Sequence, residues 1–168
     1  GNRLTLRFRG KSGVVREVAL DDPRVARIVR CCQAMPGQDL FQYEDDDGTT
    51  HAVGSVDVND YIRAATGAAF TAKDFRTWHG SVHALALWLT AADAAARPSA
   101  NEVLVEVARR LGNTVAVCRK AYVHPRVLAL LLSGTGDADA IARALPSRRR
   151  AGLAASEQQL LAFLARKT

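Results

Sequence analysis

One short segment near the C-terminal side combines a polar side chain, a basic pair and a tyrosine: residues 113–125 read NTVAVCRKAYVHP. A predicted helix ends at Gly112 just before it, and Thr114 can cap a short helix that carries Tyr122. A tyrosine hydroxyl beside cationic groups suits nucleophilic attack on a phosphodiester, because positive charge can hold the phosphate. A lone tyrosine is more often a half-buried helix residue, so the choice depends on the other segments.

Length and composition limit the class of protein. The chain has 168 residues, 48% of them hydrophobic, which suits one domain or a domain with a small appendage. Its cysteines, Cys31, Cys32 and Cys118, form neither a disulfide framework nor a Cys-x-x-Cys zinc motif, and its four histidines are scattered. We find no long apolar stretch and no signal-peptide pattern. We therefore expect a protein of the reducing cytoplasm without a metal site or membrane contact.

The net charge of +6 is unevenly distributed along the chain. Residues 1–30 hold 8 Lys/Arg and 3 Asp/Glu, residues 31–108 hold 4 and 11, and residues 109–168 hold 11 and 3. Two basic ends thus flank an acidic middle. If the ends meet in space, they form a patch suited to a polyanion, for which nucleic acid is the default candidate. The alternative is an ordinary solvated surface rich in arginine.

The chain opens with a predicted β-hairpin. Residues 3–9 alternate polar and apolar side chains, which is the period of a half-buried strand with Leu4, Leu6 and Phe8 facing the core. The turn GKSG follows at residues 10–13, and a second strand is predicted near residues 14–20. Lys11 is therefore expected at an exposed hairpin tip.

Capping signals and apolar periodicity predict mostly helices in the remainder. The first helix starts at Asp22-Pro23, buries Val25, Ile28, Val29 and Cys32, and stops before Pro36. Two short strands near 40–43 and 50–53 enclose an acidic turn. Further helices are predicted over residues 57–66, from Thr71 to about Ala95, over 99–111, around Tyr122, and over 127–132 and 156–164. The fold class is therefore α+β, mainly α-helical, with small β-hairpins near the N-terminus.

Four segments carry a more specific pattern: FRGKSG at residues 8–13, DVNDY at 57–61, TAKDFRTW at 71–78, and LGNT through YVHP at 111–125. Together they resemble the bacterial, poxvirus-like branch of the type IB DNA topoisomerases, whose catalytic fold we therefore expect. Each segment alone is a weak signal, whereas their order and spacing over residues 3–132 make the similarity specific. Tyrosine recombinases share this fold and chemistry and are the nearest alternative.

The resemblance implies four catalytic residues. Tyr122 matches the nucleophile that forms a 3′-phosphotyrosyl link to DNA and frees a 5′-hydroxyl. Arg76 matches an arginine that binds the non-bridging oxygens of the scissile phosphate, and Lys11 matches the hairpin lysine that protonates the leaving 5′-oxygen. Asn113 takes the position of a phosphate-binding histidine in the poxvirus enzymes. Asparagine is familiar there in the bacterial branch, and it donates a hydrogen bond without carrying charge.

Four more basic residues are expected to contact DNA, namely Lys73, Arg119, Lys120 and Arg9. Lys73 stands where recombinases usually have the histidine of a His-x-x-Arg pattern, so this position favours the topoisomerase branch. The basic run at residues 148–150 either grips the DNA backbone or, as is more frequent for such runs, belongs to a flexible linker.

The function implied by the resemblance is strand cleavage and rejoining that relaxes supercoiled double-stranded DNA. It needs no ATP, metal or other cofactor, because the phosphotyrosyl bond retains the energy of the broken diester. Two alternatives stay open: the catalytic domain of a tyrosine recombinase or integrase, and an inactive DNA-binding fragment. The second arises because the family uses another arginine before the hairpin, and no residue of this sequence matches it.

The domain organisation follows from the same comparison. The chain starts at Gly1 rather than Met, so we expect the C-terminal part of a longer protein with an N-terminal DNA-clamping domain upstream. Within the chain we predict a catalytic domain at 1–132, truncated on its N-terminal side, a linker at 133–155, and a C-terminal helix at 156–168 that docks on the domain. We expect a monomer associated with the nucleoid.

Overall fold

The structure is a computed structural model that describes residues 3–10, 13, 15–37, 39–90, 97–134, 141 and 150–166. The chain divides into two compact units, Gly1–Asp60 and Tyr61–Thr168. In the described parts the architecture is mainly helical, with two small antiparallel hairpins. The predicted α+β class is therefore confirmed.

The first unit begins with the predicted hairpin. Strands β1 (Leu4–Arg9) and β2 (Val15–Leu20) pair antiparallel, in register from Leu4 opposite Leu20 to Arg9 opposite Val15. The Gly13 N–H donates to the Gly10 carbonyl over 3.1 Å and closes the turn. One expectation is wrong: Phe8 is 50% exposed, because a two-stranded ribbon brings no second layer to cover it. The tip residue Lys11 lies outside the described residues.

Helix α1 (Pro23–Gln33) starts and stops where the sequence predicts. The Asp22 carboxylate accepts the N–H groups of Arg24 and Val25, which is the expected cap. The predicted inner stripe is wrong, however, for Ile28, which is 59% exposed, and for Val25. The buried side of the helix passes instead through Ala26 and Val29. The small side chain of Ala26 permits close packing, but an inner stripe predicted from large apolar side chains does not include it.

The second hairpin pairs β3 (Gln42–Glu44) with β4 (Thr50–Ala52), slightly displaced from the predicted limits. Its acidic turn is organised by Asp45, whose carboxylate accepts the N–H groups of Asp47 and Thr49 and lies 2.7 Å from His51 Nε2. The bond to His51, followed by the backbone bonds, lowers the pKa of the Asp45 carboxyl. The acidic run is thus a local turn exposed to solvent, as predicted.

Helix α2 (Ser55–Thr66) crosses the boundary between the two units. It begins two residues before the predicted start, because the Asp57 carboxylate accepts the Gly54 N–H over 2.7 Å and closes the turn below it. It ends at Gly67 in the left-handed region with φ 64°, as the sequence predicts. None of its described residues is buried, and Tyr61 is 75% exposed.

The second unit is built around α3 (Ala72–Leu89), which packs against α4 (Ala100–Leu111), α6 (Pro125–Ser133) and the last helix, α7 (Ala155–Ala165). Short helix α5 (Val115–Ala121) packs on α4. The most deeply buried side chains come from every one of these helices: Leu85, Trp88, Val103, Val107, Cys118, Val127 and Leu160. Helix α3 ends at Leu89, short of the predicted Ala95; residues 91–96 lie outside the described residues.

Helix caps in this unit follow local sequence signals closely. Ser99 and Glu102 form the predicted capping box of α4, and Gly112 ends that helix with φ 66°. The box predicted for Ser156 and Gln159 is wrong. Helix α7 starts one residue earlier, and the Glu157 carboxylate accepts the Ala154 N–H over 2.8 Å.

Two side chains fix α7 against the rest of the unit. The Trp78 indole N–H donates to Glu157 over 2.7 Å, and Arg126 donates to the carbonyls of Leu164 and Arg166 at the other end of the helix. Ile141, inside the segment predicted as a linker, is 5% exposed and belongs to the hydrophobic core. Across the described helices we find none with both the length and the apolar character needed to cross a bilayer.

Candidate active site

Tyr122 ends helix α5 as its C-cap rather than lying within it. Its N–H and that of Val123 both donate to the Cys118 carbonyl, over 3.0 and 3.1 Å, so the chain turns sharply at the tyrosine. Val123 is 5% exposed and anchors this turn in the core, whereas Tyr122 is half-buried. The side chain of Tyr122 therefore stands at the edge of the core on a fixed backbone.

Arg76 lies in the second turn of α3 and is exposed. Its Nη2 donates to the Leu111 carbonyl over 2.7 Å, and its guanidinium carbon lies 4.9 Å from the centroid of the Tyr122 ring. The bond to Leu111 uses one of the five N–H donors that a guanidinium carries. The arginine is thus held against the tyrosine by a backbone acceptor from a third element.

Asn113 reaches the same acceptor. Its Nδ2 donates to the Leu111 carbonyl over 3.3 Å, and its backbone N–H donates to Ala108 over 2.9 Å. The last carbonyls of a helix lack partners within that helix, and the left-handed Gly112 turns the chain so that Leu111 presents its oxygen to both side chains. The end of α4 therefore gathers the two phosphate-binding candidates at one oxygen.

The structure brings together three of the four predicted catalytic residues, Arg76, Asn113 and Tyr122, within the second unit. Lys11 lies outside the described residues. The two donors and the phenol come from α3, the α4–α5 turn and the end of α5, so the cluster depends on tertiary packing. Arginine and asparagine donors grouped close to a tyrosine can bind a tetrahedral phosphate while the tyrosine hydroxyl attacks it.

The four predicted DNA-contacting residues lie at different places. Lys73 is exposed in the first turn of α3, one turn before Arg76. Arg119 and Lys120 are exposed in the last turn of α5, where positive charge is favourable beside the carbonyl end of a helix. Arg9 is exposed at the end of β1 in the first unit. Lys73, Arg119 and Lys120 thus add positive charge on the two helices that carry Arg76 and Tyr122.

Sequence reasoning missed three small residues of α3 that contact residues 121–124, which we call the tyrosine turn. The Thr77 hydroxyl shares its hydrogen between the carbonyls of Lys73 at 3.2 Å and Ala121 at 3.3 Å, and the Ser81 hydroxyl accepts the His124 N–H over 2.9 Å. A Cβ added at Gly80 would clash with the Tyr122 carbonyl. Glycine inside a helix costs about 1 kcal/mol, so Gly80 was the available signal of a close backbone approach.

The positive charge of Arg76 influences the pKa of the buried Cys118 thiol. Burial raises the pKa of the Cys118 thiol, and the charge of Arg76 opposes that rise. Cys118 is 0% exposed and its carbonyl caps the tyrosine turn, so its role here is packing. No group of three or more His, Cys, Asp or Glu side chains suited to a metal ion occurs among the described residues.

Comparison with known proteins identifies the family of the chain. The family model described as eukaryotic DNA topoisomerase I, catalytic core, matches residues 1–136. The chain belongs to the type IB DNA topoisomerase family. It is 30% identical over 140 residues to a DNA topoisomerase 1B of Acanthamoeba polyphaga mimivirus, an alignment that covers 76% of this chain and 41% of that protein.

The family assignment confirms the resemblance predicted from the four segments, while its bacterial branch stays a prediction. The chain spans about two fifths of the length of the viral topoisomerase that it matches. The matched region, residues 1–136, contains the four candidate catalytic residues and the four candidate DNA-contacting residues Lys73, Arg119, Lys120 and Arg9. The basic run at 148–150 lies beyond it, and its residues 148 and 149 are outside the described residues. The catalytic core of a type IB topoisomerase is thus the part of the family that this chain resembles.

Proposed function

We propose that this protein cleaves and rejoins one strand of duplex DNA through a 3′-phosphotyrosyl intermediate and thereby relaxes supercoils without ATP. One observation carries the proposal: in a chain of the type IB family, Arg76 lies over the ring of Tyr122 and shares the Leu111 carbonyl with Asn113. Nucleophile and phosphate-binding donors are therefore assembled before DNA arrives. Such preorganisation avoids the cost of arranging them during the reaction.

The proposed cleavage step is a transesterification. The Tyr122 hydroxyl loses its proton to water as its oxygen bonds to phosphorus, the bond from phosphorus to the 5′-oxygen breaks, and a proton must reach that leaving oxygen. The guanidinium of Arg76 presents a planar fork that matches two non-bridging oxygens as negative charge builds on them. The amide of Asn113 adds a neutral donor to the same phosphate. Rejoining reverses these steps, with the free 5′-hydroxyl as nucleophile.

We assign the leaving-group proton to Lys11. An alkoxide is a poor leaving group, and a positioned general acid contributes on the order of 10²–10⁴-fold. A substrate whose 5′-bridging oxygen is replaced by sulfur needs no such acid, because a thiolate leaves readily. Lys11→Ala should therefore cleave ordinary DNA slowly and the sulfur-bridged DNA at nearly the wild-type rate. Equal slowing on both substrates would show that Lys11 is not the acid.

The proposed partner is double-stranded DNA, bound by a monomer that also uses a clamp domain of the longer protein. Exposed positive charge at Lys73, Arg119 and Lys120 in the second unit supports backbone binding, and Arg9 is exposed in the first unit. Each phosphate neutralised by such a residue releases counterions, so affinity should fall steeply with salt. Single substitutions of these residues should each reduce the salt dependence by about one unit of slope.

The decisive test is a suicide-substrate assay, in which the strand released by cleavage diffuses away and the covalent adduct accumulates. The 168-residue chain should form a denaturant-stable adduct that disappears in Tyr122→Phe. Tyr61→Phe is the matched control, since Tyr61 is 75% exposed on α2, and it should keep the adduct. If a longer chain with Tyr122 intact and the clamp present never attached to DNA, the proposal would be wrong.

A second candidate rests on the absence of a match for the family's additional arginine before the hairpin. If that arginine is indispensable, the chain alone is a DNA-binding fragment. It would then bind DNA in a salt-dependent way without forming an adduct, and restoring the upstream segment would restore cleavage. A recombinase differs from both: it would leave a plasmid without its specific site supercoiled, whereas a topoisomerase would relax it.

A further inference from the structure

Helix α3 contacts the backbone around Tyr122 at three positions between residues 121 and 124. The Thr77 hydroxyl donates to Ala121, Gly80 lies directly beneath the Tyr122 carbonyl, and the Ser81 hydroxyl accepts from the His124 N–H. These three α3 residues sit on one side of the helix, spaced by three and four positions. We call Thr77, Gly80 and Ser81 the α3 seat.

The residues of the α3 seat have small side chains, and they hold the tyrosine turn by hydrogen bonds and close backbone contact. Ser81 is 2% exposed, and its hydroxyl also donates to the Thr77 carbonyl over 2.8 Å, so its hydrogen is committed and its lone pair faces His124. At Gly80 an added Cβ would meet backbone atoms of Tyr122 and lie 3.3 Å from Leu111 Cδ1. Backbone atoms cannot move aside as a flexible side chain can, so any side chain at position 80 displaces the tyrosine turn.

The same helix carries Arg76. The phosphate-binding arginine and the residues that support the tyrosine turn therefore belong to one helix. Arg76 lies one residue before Thr77 and bonds to the Leu111 carbonyl, which belongs to α4 rather than to the tyrosine turn. Distance between guanidinium and phenol is therefore set by how the turn rests on α3. A displacement of about 1 Å in such a pair can cost on the order of 10²-fold in rate.

We infer that the α3 seat positions the nucleophile: Gly80 and Ser81, with Thr77, fix where Tyr122 lies relative to the phosphate held by Arg76. They are positioning residues that act through the backbone of the turn and touch no substrate. This inference rests on the proposed strand-cleavage function. The α3 seat would set the rate of cleavage without changing the affinity for DNA, because none of its three residues is a charged group that faces the duplex.

The first measurement is single-turnover cleavage at saturating suicide substrate. Gly80→Ala should slow cleavage by on the order of 10²-fold, and Ser81→Ala by about tenfold, the loss expected for one hydrogen bond. Ser81→Thr keeps the hydroxyl and should recover most of the rate. Ser133→Ala is the matched control, since that hydroxyl donates to Leu130 within α6, and it should cleave like the wild type. DNA affinity, measured on a Tyr122→Phe background, should not change in any variant.

The second measurement needs no DNA. With 3-fluorotyrosine incorporated, the three tyrosines give three ¹⁹F resonances, and Tyr122→Phe identifies the one from Tyr122. That resonance should shift or broaden in Ser81→Ala and Gly80→Ala, while those of Tyr43 and Tyr61 stay in place. Because Ser81→Ala removes only one oxygen, it keeps the test valid if Gly80→Ala fails to fold.

The two measurements separate failure of this inference from failure of the proposed function. If the wild type cleaves and Ser81→Ala and Gly80→Ala cleave at the same rate, or if the Tyr122 resonance is unmoved, the positioning role is overturned. If no chain forms an adduct, even with the upstream segment, the proposed function fails. A Tyr122 resonance that still moves would then support the α3 seat as the element that places this tyrosine.

Discussion

The guanidinium of Arg76 lies over the ring of Tyr122 with 4.9 Å between its central carbon and the ring centroid. A cation at this distance from an aromatic face is attracted to it by about 0.5–1 kcal/mol at an exposed site. The same guanidinium bonds to the Leu111 carbonyl. Two independent contacts therefore fix the arginine beside the tyrosine in the absence of DNA.

For the rate of cleavage, the planar pair of N–H donors of Arg76 should be more important than its positive charge. Arg76→Lys keeps one positive charge but loses the planar pair of donors and the bond geometry to Leu111. We expect single-turnover cleavage to fall on the order of 10²-fold, with smaller loss of DNA affinity. Arg109→Lys, at the exposed end of α4 where Arg109 pairs with Glu106, is the control. Cleavage by Arg76→Lys within about threefold of wild type would rule out bidentate binding by this arginine.

Asn113 offers a test based on pH. Asn113→His introduces a group with an ordinary pKa near 6.5, and only its protonated form brings positive charge to the phosphate. The ratio of the Asn113→His cleavage rate to the wild-type rate at the same pH should rise as pH falls from 8 to 5.5. Asn113→Asp should cleave on the order of 10²-fold more slowly, since its carboxylate faces a phosphate. A flat ratio for the histidine variant would place Asn113 away from the phosphate.

Glu157 should stabilise the second unit in a pH-dependent way. The Trp78 indole bond, followed by the Ala154 N–H, lowers the pKa of its carboxyl below the usual 4.5. The unfolded chain therefore takes up this proton at a higher pH than the folded chain does. The stabilisation is fully present above pH 4.5 and is lost as pH falls through the folded pKa.

The measurement is thermal unfolding of Glu157→Gln beside the wild type. At pH 7 the variant should be less stable by about 1 kcal/mol, the value of one hydrogen bond to a charged acceptor at a helix start. The gap should narrow near pH 3. Glu17→Gln on β2 serves as the control for simple loss of charge. A gap that stayed constant with pH would mean that the carboxylate form is not what Trp78 and Ala154 favour.

His83 should make the fold sensitive to mild acid. Burial, followed by the charge of Arg110, lowers the pKa of His83 below 6.5. Its Nε2 is buried and lies 3.9 Å from Glu106, beyond hydrogen-bond distance. Glu106, whose pKa is lowered to about 2 chiefly by Arg109, stays ionised in this range and opposes the shift only in part.

The sign of the effect follows from which state takes the proton first. As pH falls below 6.5, the unfolded chain protonates this histidine before the folded chain does, so stability falls toward the folded pKa. We expect the melting temperature of the wild type to drop between pH 7 and pH 5.5 more than that of His83→Gln. Equal slopes for wild type and His83→Gln would refute the assignment.

Local signals predicted much of this fold because their causes are local. The Asp22 cap, the Ser99–Glu102 box and the Gly112 stop each depend on residues within four positions of one another, and each is found where expected. The burial of Ala26 in place of Ile28, and of Ile141 in a supposed linker, depends on which distant surface packs there. Periodicity alone carries no information about that surface.

The candidate site shows the same division. Arg76, Asn113 and Tyr122 were selected by likeness to a family, and the structure shows that Arg76 and Asn113 share the Leu111 carbonyl while Arg76 lies over the Tyr122 ring. Neither composition nor spacing could have revealed that shared oxygen, because it is a backbone atom whose position depends on how α4 ends. Gly80 left a trace in the sequence as a helix-interior glycine, but its partner, 42 positions away at Tyr122, could be found only in three dimensions.

A DNA strand that rotates while it is covalently attached to a residue exerts force on that residue. In the proposed covalent intermediate, one DNA end would hang from Tyr122, and the next residue, Val123, is already in the core. Load on the strand would pass through the His124–Ser81 bond into α3, whose Trp88 is 1% exposed. The proposed intermediate would thus attach the DNA strand directly beside the hydrophobic core of the second unit. Rigidity there would keep the severed ends within reach of each other for resealing.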